Sequence, residues 1–311
     1  MPDETCEYPE DDDGGLPAAA DIGKPRDDAI PSVAGLVVVA TPIGNRGDMT
    51  PRAVEALGAA DLILCEDTRH TGRLCANFGI TTRLLPLHEH NEDARIPRTL
   101  RAIREGRRVA LVSDAGTPLV SDPGFRLMRA AIAEGLPVSG VPGANAAVLA
   151  LVLSGLPPQP FLFQGFPPPR SAARTAAFAR LRAAERAGLG ATVVWYEAPH
   201  RLAEMLADLA AVFGDRPAAV ARELTKRFEE VRRGSLPELA AHYAGAEARG
   251  EITVIIGPAP PDAPDEGSLD DRLRAALTEA SVKQAVARVA AETGLPRRQV
   301  YARALEITGS A

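Results

Sequence analysis

The fold is decided by the stretch from Gly35 to Asn45, which has the sequence GLVVVATPIGN. Its apolar part, 36–40, has the length and β-branched composition of a buried strand, and a turn containing proline and glycine follows it. The turn carries neither the GxGxxG fingerprint of dinucleotide-binding folds nor a P-loop. The stretch therefore predicts an α/β protein and argues against both a Rossmann dehydrogenase and a P-loop NTPase.

The same alternation of apolar runs and amphipathic stretches continues toward the C-terminus. The predicted strands are 36–40, 61–65, 84–87, 108–112 and 137–141, and the predicted helices between them are 51–57, 68–78, 94–104 and 125–133. Strands alternating with helices in this way predict a parallel sheet that is covered by helices on both faces.

A cluster of prolines between 157 and 169, after a predicted helix at 146–154, indicates a domain junction. Beyond it, helices and strands alternate again up to 256, which predicts a second, mixed α/β domain. The predicted organisation is a disordered acidic tail, 1–32; an N-terminal α/β domain, 33–156; a C-terminal α/β domain, 157–257; a proline-rich linker, 258–267; and a helical segment, 268–311.

The last segment has the outline of a helix-turn-helix, with helices at 269–278 and 282–292 and a restart at Pro296. Its basic residues indicate contact with nucleic acid, but a hairpin of this size also occurs as a packing or dimerisation element. Both interpretations stay open from the pattern alone.

Composition bounds the class of protein. The 311 residues are 46% hydrophobic and 24% charged, which is typical of globular domains and excludes disorder of the whole chain. No apolar run approaches the roughly 20 residues of a membrane span, and no signal pattern precedes the first domain, so we expect a soluble, cytoplasmic protein. The three cysteines have no metal-ligand spacing, and we expect no metal site.

Ligands of open α/β sheets bind beyond the carboxyl ends of the strands, and here those positions are unusually polar. Each loop alone is explained by turn chemistry or by capping of the next helix. Five polar loops at one sheet edge together favour a binding site. The strand-end segments are Thr41–Asn45, Glu66–Gly72, His88–Glu92, Leu111–Pro118 with Ser121–Gly124, and Pro142–Asn145.

Together with Tyr196–Arg201 and Ala221–Lys226, these motifs make residues 35 to 258 resemble the tetrapyrrole-methylase-like class of S-adenosylmethionine (SAM) methyltransferases. The resemblance implies two unlike α/β domains with SAM in the cleft between them, followed by a helix-turn-helix-like segment. It also implies the cofactor contacts. They are Pro42, Asp114, Ala115, Gly116, Thr117, Pro118, Asn145, Ala146, Ala221 and Thr253.

Within this class the motifs are most similar to the members that methylate the 2'-hydroxyl of a cytidine ribose in the decoding region of 16S rRNA. That reaction needs a base beside the acceptor, for which Glu66, Asp67, Glu197 and His200 are the candidates, with Arg69 beside them. The expected partners are 16S rRNA in the small ribosomal subunit and a second copy of the chain, with no membrane. The predicted RNA contacts are Arg170, Arg174, Arg222, Lys226, Arg297, Arg298 and Arg303.

Two rival functions remain at this point. One is a SAM-dependent methylase of a tetrapyrrole or of a protein side chain, on the same fold. The other is a helix-turn-helix regulator whose α/β part only senses a small ligand; it predicts DNA binding without methyl transfer.

Overall fold

A computed structural model describes residues 34–245, 248–259, 266–293 and 295–309. The predicted tail 1–32, most of the predicted linker and Gly294 in the predicted turn lie outside the described residues. The chain divides into two compact units, residues 1–144 and 145–311. Among the described residues no helix is long and apolar enough to cross a membrane.

The first unit is built on a five-stranded sheet with strand order β3-β2-β4-β1-β5, and all its pairs are parallel. This confirms the parallel sheet predicted from the alternating pattern. The strands are β1 (Gly35–Val39), β2 (Leu62–Cys65), β3 (Leu84–Pro86), β4 (Arg108–Leu111) and β5 (Val138–Val141), and the helices are α1 (Pro51–Ala59), α2 (Thr68–Asn77), α3 (Glu92–Arg104) and α4 (Phe125–Ala133).

Separate apolar clusters cover the two faces of this sheet. One contains Ala53 and Leu57 of α1, Cys75 of α2 and Ile63 of the sheet. The other joins residues of α3 and α4 to the opposite sheet face. The inner strands β1, β2 and β4 are largely buried from both sides, which explains their apolar runs, whereas the edge strand β5 is exposed at 138–140.

Gly35 lies at the start of β1, where this strand passes close to its neighbour, the edge strand β5. A Cβ atom on Gly35 would stand 2.7 Å from the carbonyl oxygen of Pro137, whereas one on Gly140 in β5 would meet nothing closer than 3.7 Å. We expect Gly35→Ala to lower the free energy of unfolding by about 2 kcal/mol, because the backbones must separate. Gly140→Ala, the control, should change it by less than about 1 kcal/mol. Urea unfolding measures both, and equal effects would contradict the close approach.

The second unit has a mixed five-stranded sheet of order β6-β7-β10-β8-β9, in which only the β6–β7 pair is parallel. A mixed second domain was predicted and is confirmed. Its elements are α5 (Ala146–Ser154), β6 (Phe161–Phe163), α6 (Ser171–Arg186), β7 (Thr192–Glu197), α7 (Leu202–Phe213), β8 (Pro217–Arg222), β9 (Glu230–Ser235), α8 (Leu236–Tyr243), β10 (Ile252–Ile256), α9 (Glu266–Glu279), α10 (Val282–Thr293) and α11 (Arg297–Gly309).

Helix α5 packs on β7, β8, β9 and β10, and the main apolar cluster of α6, α7 and α8 lies on the opposite face of that sheet. The compact units therefore divide between 144 and 145, whereas the sequence prediction places the boundary after 156. Helix α5 is apolar on all sides, so its sequence does not show which sheet it packs against. Its contacts with the second sheet place it in the second unit, although it precedes the proline cluster.

The last three helices, α9, α10 and α11, bury their own apolar cluster, which includes Leu273, Val286, Val289 and Val300. Arg303 of α11 holds α9 through two hydrogen bonds to Asp270, at 2.7 and 2.9 Å. The segment is thus a bundle of three helices, which correspond to the predicted helices at 269–278 and 282–292 and to the restart at Pro296.

Candidate active site

Three loops at the carboxyl edge of the first sheet are hydrogen bonded to one another. Thr41, after β1, and Gly116, after β4, exchange backbone hydrogen bonds of 2.9 and 3.1 Å. Thr117 Oγ1 donates to the carbonyl of Ala144, after β5, at 3.0 Å. The segments predicted to contact the cofactor in this unit therefore form one connected surface.

The loop after β4 has an unusual backbone. Gly116, Leu119 and Ser121 all have left-handed conformations, with φ of 79°, 72° and 68°. Ser113 Oγ donates to the carbonyl of Ala115 at 3.2 Å. Non-glycine residues adopt positive φ at an energetic cost, and such strain concentrates at functional sites. Within this unit Pro42, Gly116 and Pro118 are buried, while Ala115 is exposed.

Three carboxyl groups lie close together beside this loop, those of Glu66, Asp114 and Asp122. Desolvation and the charge of Asp114 raise the pKa of Glu66. Burial, together with the charges of Glu66 and Asp114, raises the pKa of Asp122 to about 6. A carboxylate with a raised pKa accepts a proton more readily, so this cluster suits general-base chemistry. Asp122 belongs to the Ser121–Gly124 motif but is not among the bases predicted from the sequence, because its proximity to Glu66 is a tertiary contact.

Asp67 and Arg69 are engaged with each other. Asp67 caps α2 by accepting the backbone N–H of Arg69 at 2.8 Å, and the Arg69 guanidinium donates two more hydrogen bonds to the same carboxylate, at 3.2 and 3.0 Å. These hydrogen bonds lower the pKa of Asp67 to about 2. Asp67 is therefore a weak base, and its contacts match the capping interpretation.

Residues of the His88–Glu92 motif form hydrogen bonds that stabilise the first unit. The buried carboxylate of Glu92 accepts the backbone N–H of Leu127 in the first turn of α4 at 2.9 Å and pairs with Arg126 at 3.3 Å. Asn91 accepts the backbone N–H of His88 at 2.9 Å. Over the described ranges no three His, Cys, Asp or Glu side chains are placed to hold a metal.

In the second unit, strand register places Tyr196, Thr253 and Ala221 in one row across β7, β10 and β8. The Tyr196 hydroxyl accepts the backbone N–H of Ala147 at 3.2 Å, which brings the start of α5 to this row. Asn145 caps α5 by accepting the N–H of Val148 at 3.1 Å. The four residues predicted to contact the cofactor in this unit thus gather on the sheet face that α5 covers.

Glu197 is buried and fully engaged. It accepts the N–H of Ala198 at 2.7 Å and pairs with Arg201, whose Nη2 lies 3.0 Å from Oε2. The same guanidinium donates to the carbonyl of Pro167 at 2.8 Å. This network fixes the turn after β7, on which His200 is exposed. The geometry therefore gives Glu197 a positioning role and leaves His200 accessible.

The predicted RNA contacts of the second sheet differ in accessibility. Arg174 is fully buried, and its Nε donates to Asp208 at 2.7 Å, so it has no surface for RNA and holds α6 to α7. Arg222 pairs with Glu230 across the β8–β9 ladder at 3.0 Å. Lys226 pairs with Glu223 at 2.8 Å. Arg170 is exposed. Of these four only Arg170 is free of a carboxylate among the described residues.

The predicted RNA contacts in the C-terminal helices also differ in whether they form ion pairs. Arg297 and Arg298, in the first turn of α11, are exposed and form no ion pair with the part of the chain that the structure describes. Arg303 is held by Asp270 and by Glu306, so its charge is largely neutralised locally.

Comparisons with known proteins identify the two parts of the chain independently. The family model of tetrapyrrole (corrin/porphyrin) methylases matches residues 35–240. The model of the RsmI C-terminal HTH domain matches residues 263–308.

Curated relatives match nearly the whole chain. A protein named ribosomal RNA small subunit methyltransferase I from Micromonospora olivasterospora is 50% identical over 86% of this chain and 85% of its own length. One of the same name from Mesorhizobium japonicum is 44% identical over 92% of this chain and 96% of its own. Among solved structures, diphthine synthase is similar with a TM-score of 0.55 and 17% identity, covering 71% of this chain and 90% of that one. That likeness concerns the fold alone.

Proposed function

The chain belongs to the tetrapyrrole methylase family and, within it, to the ribosomal RNA small subunit methyltransferase I proteins, and on that premise we propose that it methylates the 2'-hydroxyl of a cytidine in the decoding region of 16S rRNA. SAM is the methyl donor of this family. The observation that carries the proposal is that one chain joins the methylase domain to the C-terminal domain of the rRNA enzymes. A tetrapyrrole methylase or a ligand sensor would not require that combination.

Bound SAM would supply an electrophilic methyl group on its sulfonium, with S-adenosylhomocysteine as the leaving group when the acceptor oxygen attacks the methyl carbon in line. The protein must align that oxygen and remove its proton, because a protonated ribose hydroxyl is a poor nucleophile. We assign proton removal to Glu66, whose pKa is raised by desolvation and by the charge of Asp114.

The cofactor contacts stay as predicted from the family resemblance. The hydrogen-bonded loops of the first unit present backbone groups in a fixed conformation. A Cβ at Gly116 would lie only 3.1 Å from Ile43, so only glycine fits there without a shift of its neighbour. In the second unit, Ala221 and Thr253 present small side chains beside the start of α5. Small residues and a fixed backbone suit close approach of a nucleoside.

For the RNA we assign the first contacts to Arg297, Arg298 and Arg170, the predicted residues that are exposed and not paired with a carboxylate. We further propose that the substrate is the assembled small subunit, that the enzyme acts as a homodimer and that it works in the cytoplasm.

The decisive experiment incubates the protein with labelled SAM and small subunits that lack this modification, and then maps the labelled nucleotide. We expect one methyl group on a cytidine ribose, together with SAM binding in calorimetry that EDTA does not change. Label on a base, on a protein or on an added tetrapyrrole would overturn the proposal. DNA binding without any methyl transfer would favour the regulator instead.

A further inference from the structure

The first unit contains a polar groove at the edge of the sheet opposite the candidate active site. It has a volume of about 420 Å³ and lies between α3 and the residues that precede β2, β3 and β4. Its floor is apolar, formed by Leu62, Leu64, Leu85 and Val109. Its charged lining consists of Arg83, Arg95, Arg98, Arg101 and Arg107 with Asp61 and Glu105.

The groove has an excess of positive charge, because its five arginines outnumber its two carboxylates. Asp61 is already engaged, because one oxygen accepts the N–H of Arg108 at 2.8 Å and the other pairs with Arg107 at 3.5 Å. Arg83, Arg95, Arg98 and Arg101 form no ion pair with any described residue. Elsewhere on the same helix Arg104 pairs with Glu134, and across the unit Arg126 pairs with two carboxylates. The groove therefore gathers four arginines that have no carboxylate partner among the described residues.

Three of these arginines are spaced regularly. Arg95, Arg98 and Arg101 occupy positions i, i+3 and i+6 of α3, so they share one side of the helix with a rise of about 4.5 Å between neighbours. Arginine binds phosphate oxygens through a planar fork. The residues that line the groove include no aromatic ring on which a base could stack, so the site favours a phosphate backbone over a nucleobase.

We infer that this groove, which we name the arginine groove, binds the sugar-phosphate backbone of 16S rRNA and helps to dock the small subunit on the first unit. The inference rests on the proposed function. Asp61 and Glu66 stand at the two ends of β2, five residues apart, which separates the groove from the candidate base by roughly 16 Å. The groove is therefore a docking surface and takes no part in proton removal or methyl transfer.

The test compares the wild type with the triple variant Arg95→Gln, Arg98→Gln, Arg101→Gln in binding and methylation of small subunits lacking the modification. Three lost phosphate contacts should reduce the slope of log affinity against log salt by about 2. Between 50 and 200 mM salt, the wild type should then lose roughly tenfold more affinity than the variant. KM for subunits should rise at least about tenfold at low salt, while kcat and SAM affinity stay near wild type.

The matched control removes the same charge from exposed, unpaired helix positions elsewhere: Arg52→Gln, Arg180→Gln, Arg186→Gln. Circular dichroism and thermal melting verify that both triple variants fold. If the wild type methylates subunits and the groove variant equals the control in KM and salt slope, the arginine groove is not an RNA surface. Inorganic phosphate binding that the variant abolishes, with subunit binding unchanged, would also overturn it. A wild type that neither binds nor methylates subunits would overturn the proposed function, and the groove inference with it.

Discussion

Replacing Glu66 by glutamine should lower kcat for methyl transfer by at least about a hundredfold and leave SAM affinity close to wild type. A positioned general base contributes about 10²–10⁴ in rate, and glutamine keeps the size of the side chain but cannot take the ribose proton. Glu66 follows β2 and is exposed beside Asp114, outside the loops assigned to the cofactor. Single-turnover methylation and calorimetry separate the two effects. A variant with a normal rate would show that the acceptor pocket lies elsewhere.

The pH profile tests the same assignment. Desolvation and the charge of Asp114 raise the pKa of Glu66 above its ordinary value of 4.5. The base is active when it is deprotonated, so the rate should fall as the pH drops through that raised pKa and should level off above it. In Glu66→Gln this acid limb should disappear. If an acid limb persists, the base is Asp122, and its midpoint should lie below the wild-type pKa of about 6 because the Glu66 charge that helps to raise that pKa is gone.

Asp67→Asn is the control for Glu66→Gln, because Asp67 is the adjacent carboxylate. Asp67 has a pKa of about 2 and is bound to Arg69, so it contributes little as a base. Asparagine also caps helices, and we expect the stability of α2 to fall by no more than about 1 kcal/mol. The rate should stay within about threefold of wild type.

Local sequence was enough to predict most of the framework. The β-branched strands, the helix caps at Asp67 and Asn145 and the turn glycines act within a few residues, and the strand-end loops followed from them. Because parallel strands end at one edge, the pattern also predicted that the loops after β1, β4 and β5 belong together. The hydrogen bonds among Thr41, Gly116, Thr117 and Ala144 confirm that convergence.

Sequence could not show which charges the fold neutralises. Arg174 meets Asp208 34 positions later, and Arg303 meets Asp270 33 positions earlier, so neither pairing leaves a local pattern. Strand β9 begins only at Glu230, because Glu223 and Thr225 have positive φ and the chain turns before the strand starts. Burial and backbone strain are tertiary properties, and they separate the accessible charges from the structural ones.

Glu197→Gln should lower the free energy of unfolding by about 3 kcal/mol. Removing one partner of a buried ion pair leaves the other charge uncompensated, which typically costs 3–5 kcal/mol, and the partial exposure of Arg201 places the effect at the lower end. Urea unfolding measures the loss. Because Glu197 holds Arg201 and the N–H of Ala198, kcat of the folded fraction should change far less than in Glu66→Gln.

Glu230→Gln is the control for Glu197→Gln, since it removes a carboxylate that is a third exposed and pairs with two arginines, Arg222 and Arg232. Pairs with this exposure contribute up to about 1 kcal/mol. The double variant Glu197→Gln, Arg201→Met also removes the charge of Arg201, which Glu197→Gln alone leaves unpaired. Its loss of stability should therefore be smaller than the sum of the single losses. If Glu197→Gln instead lowers kcat by a hundredfold with unchanged stability, its carboxylate acts on the substrate and the positioning role is wrong.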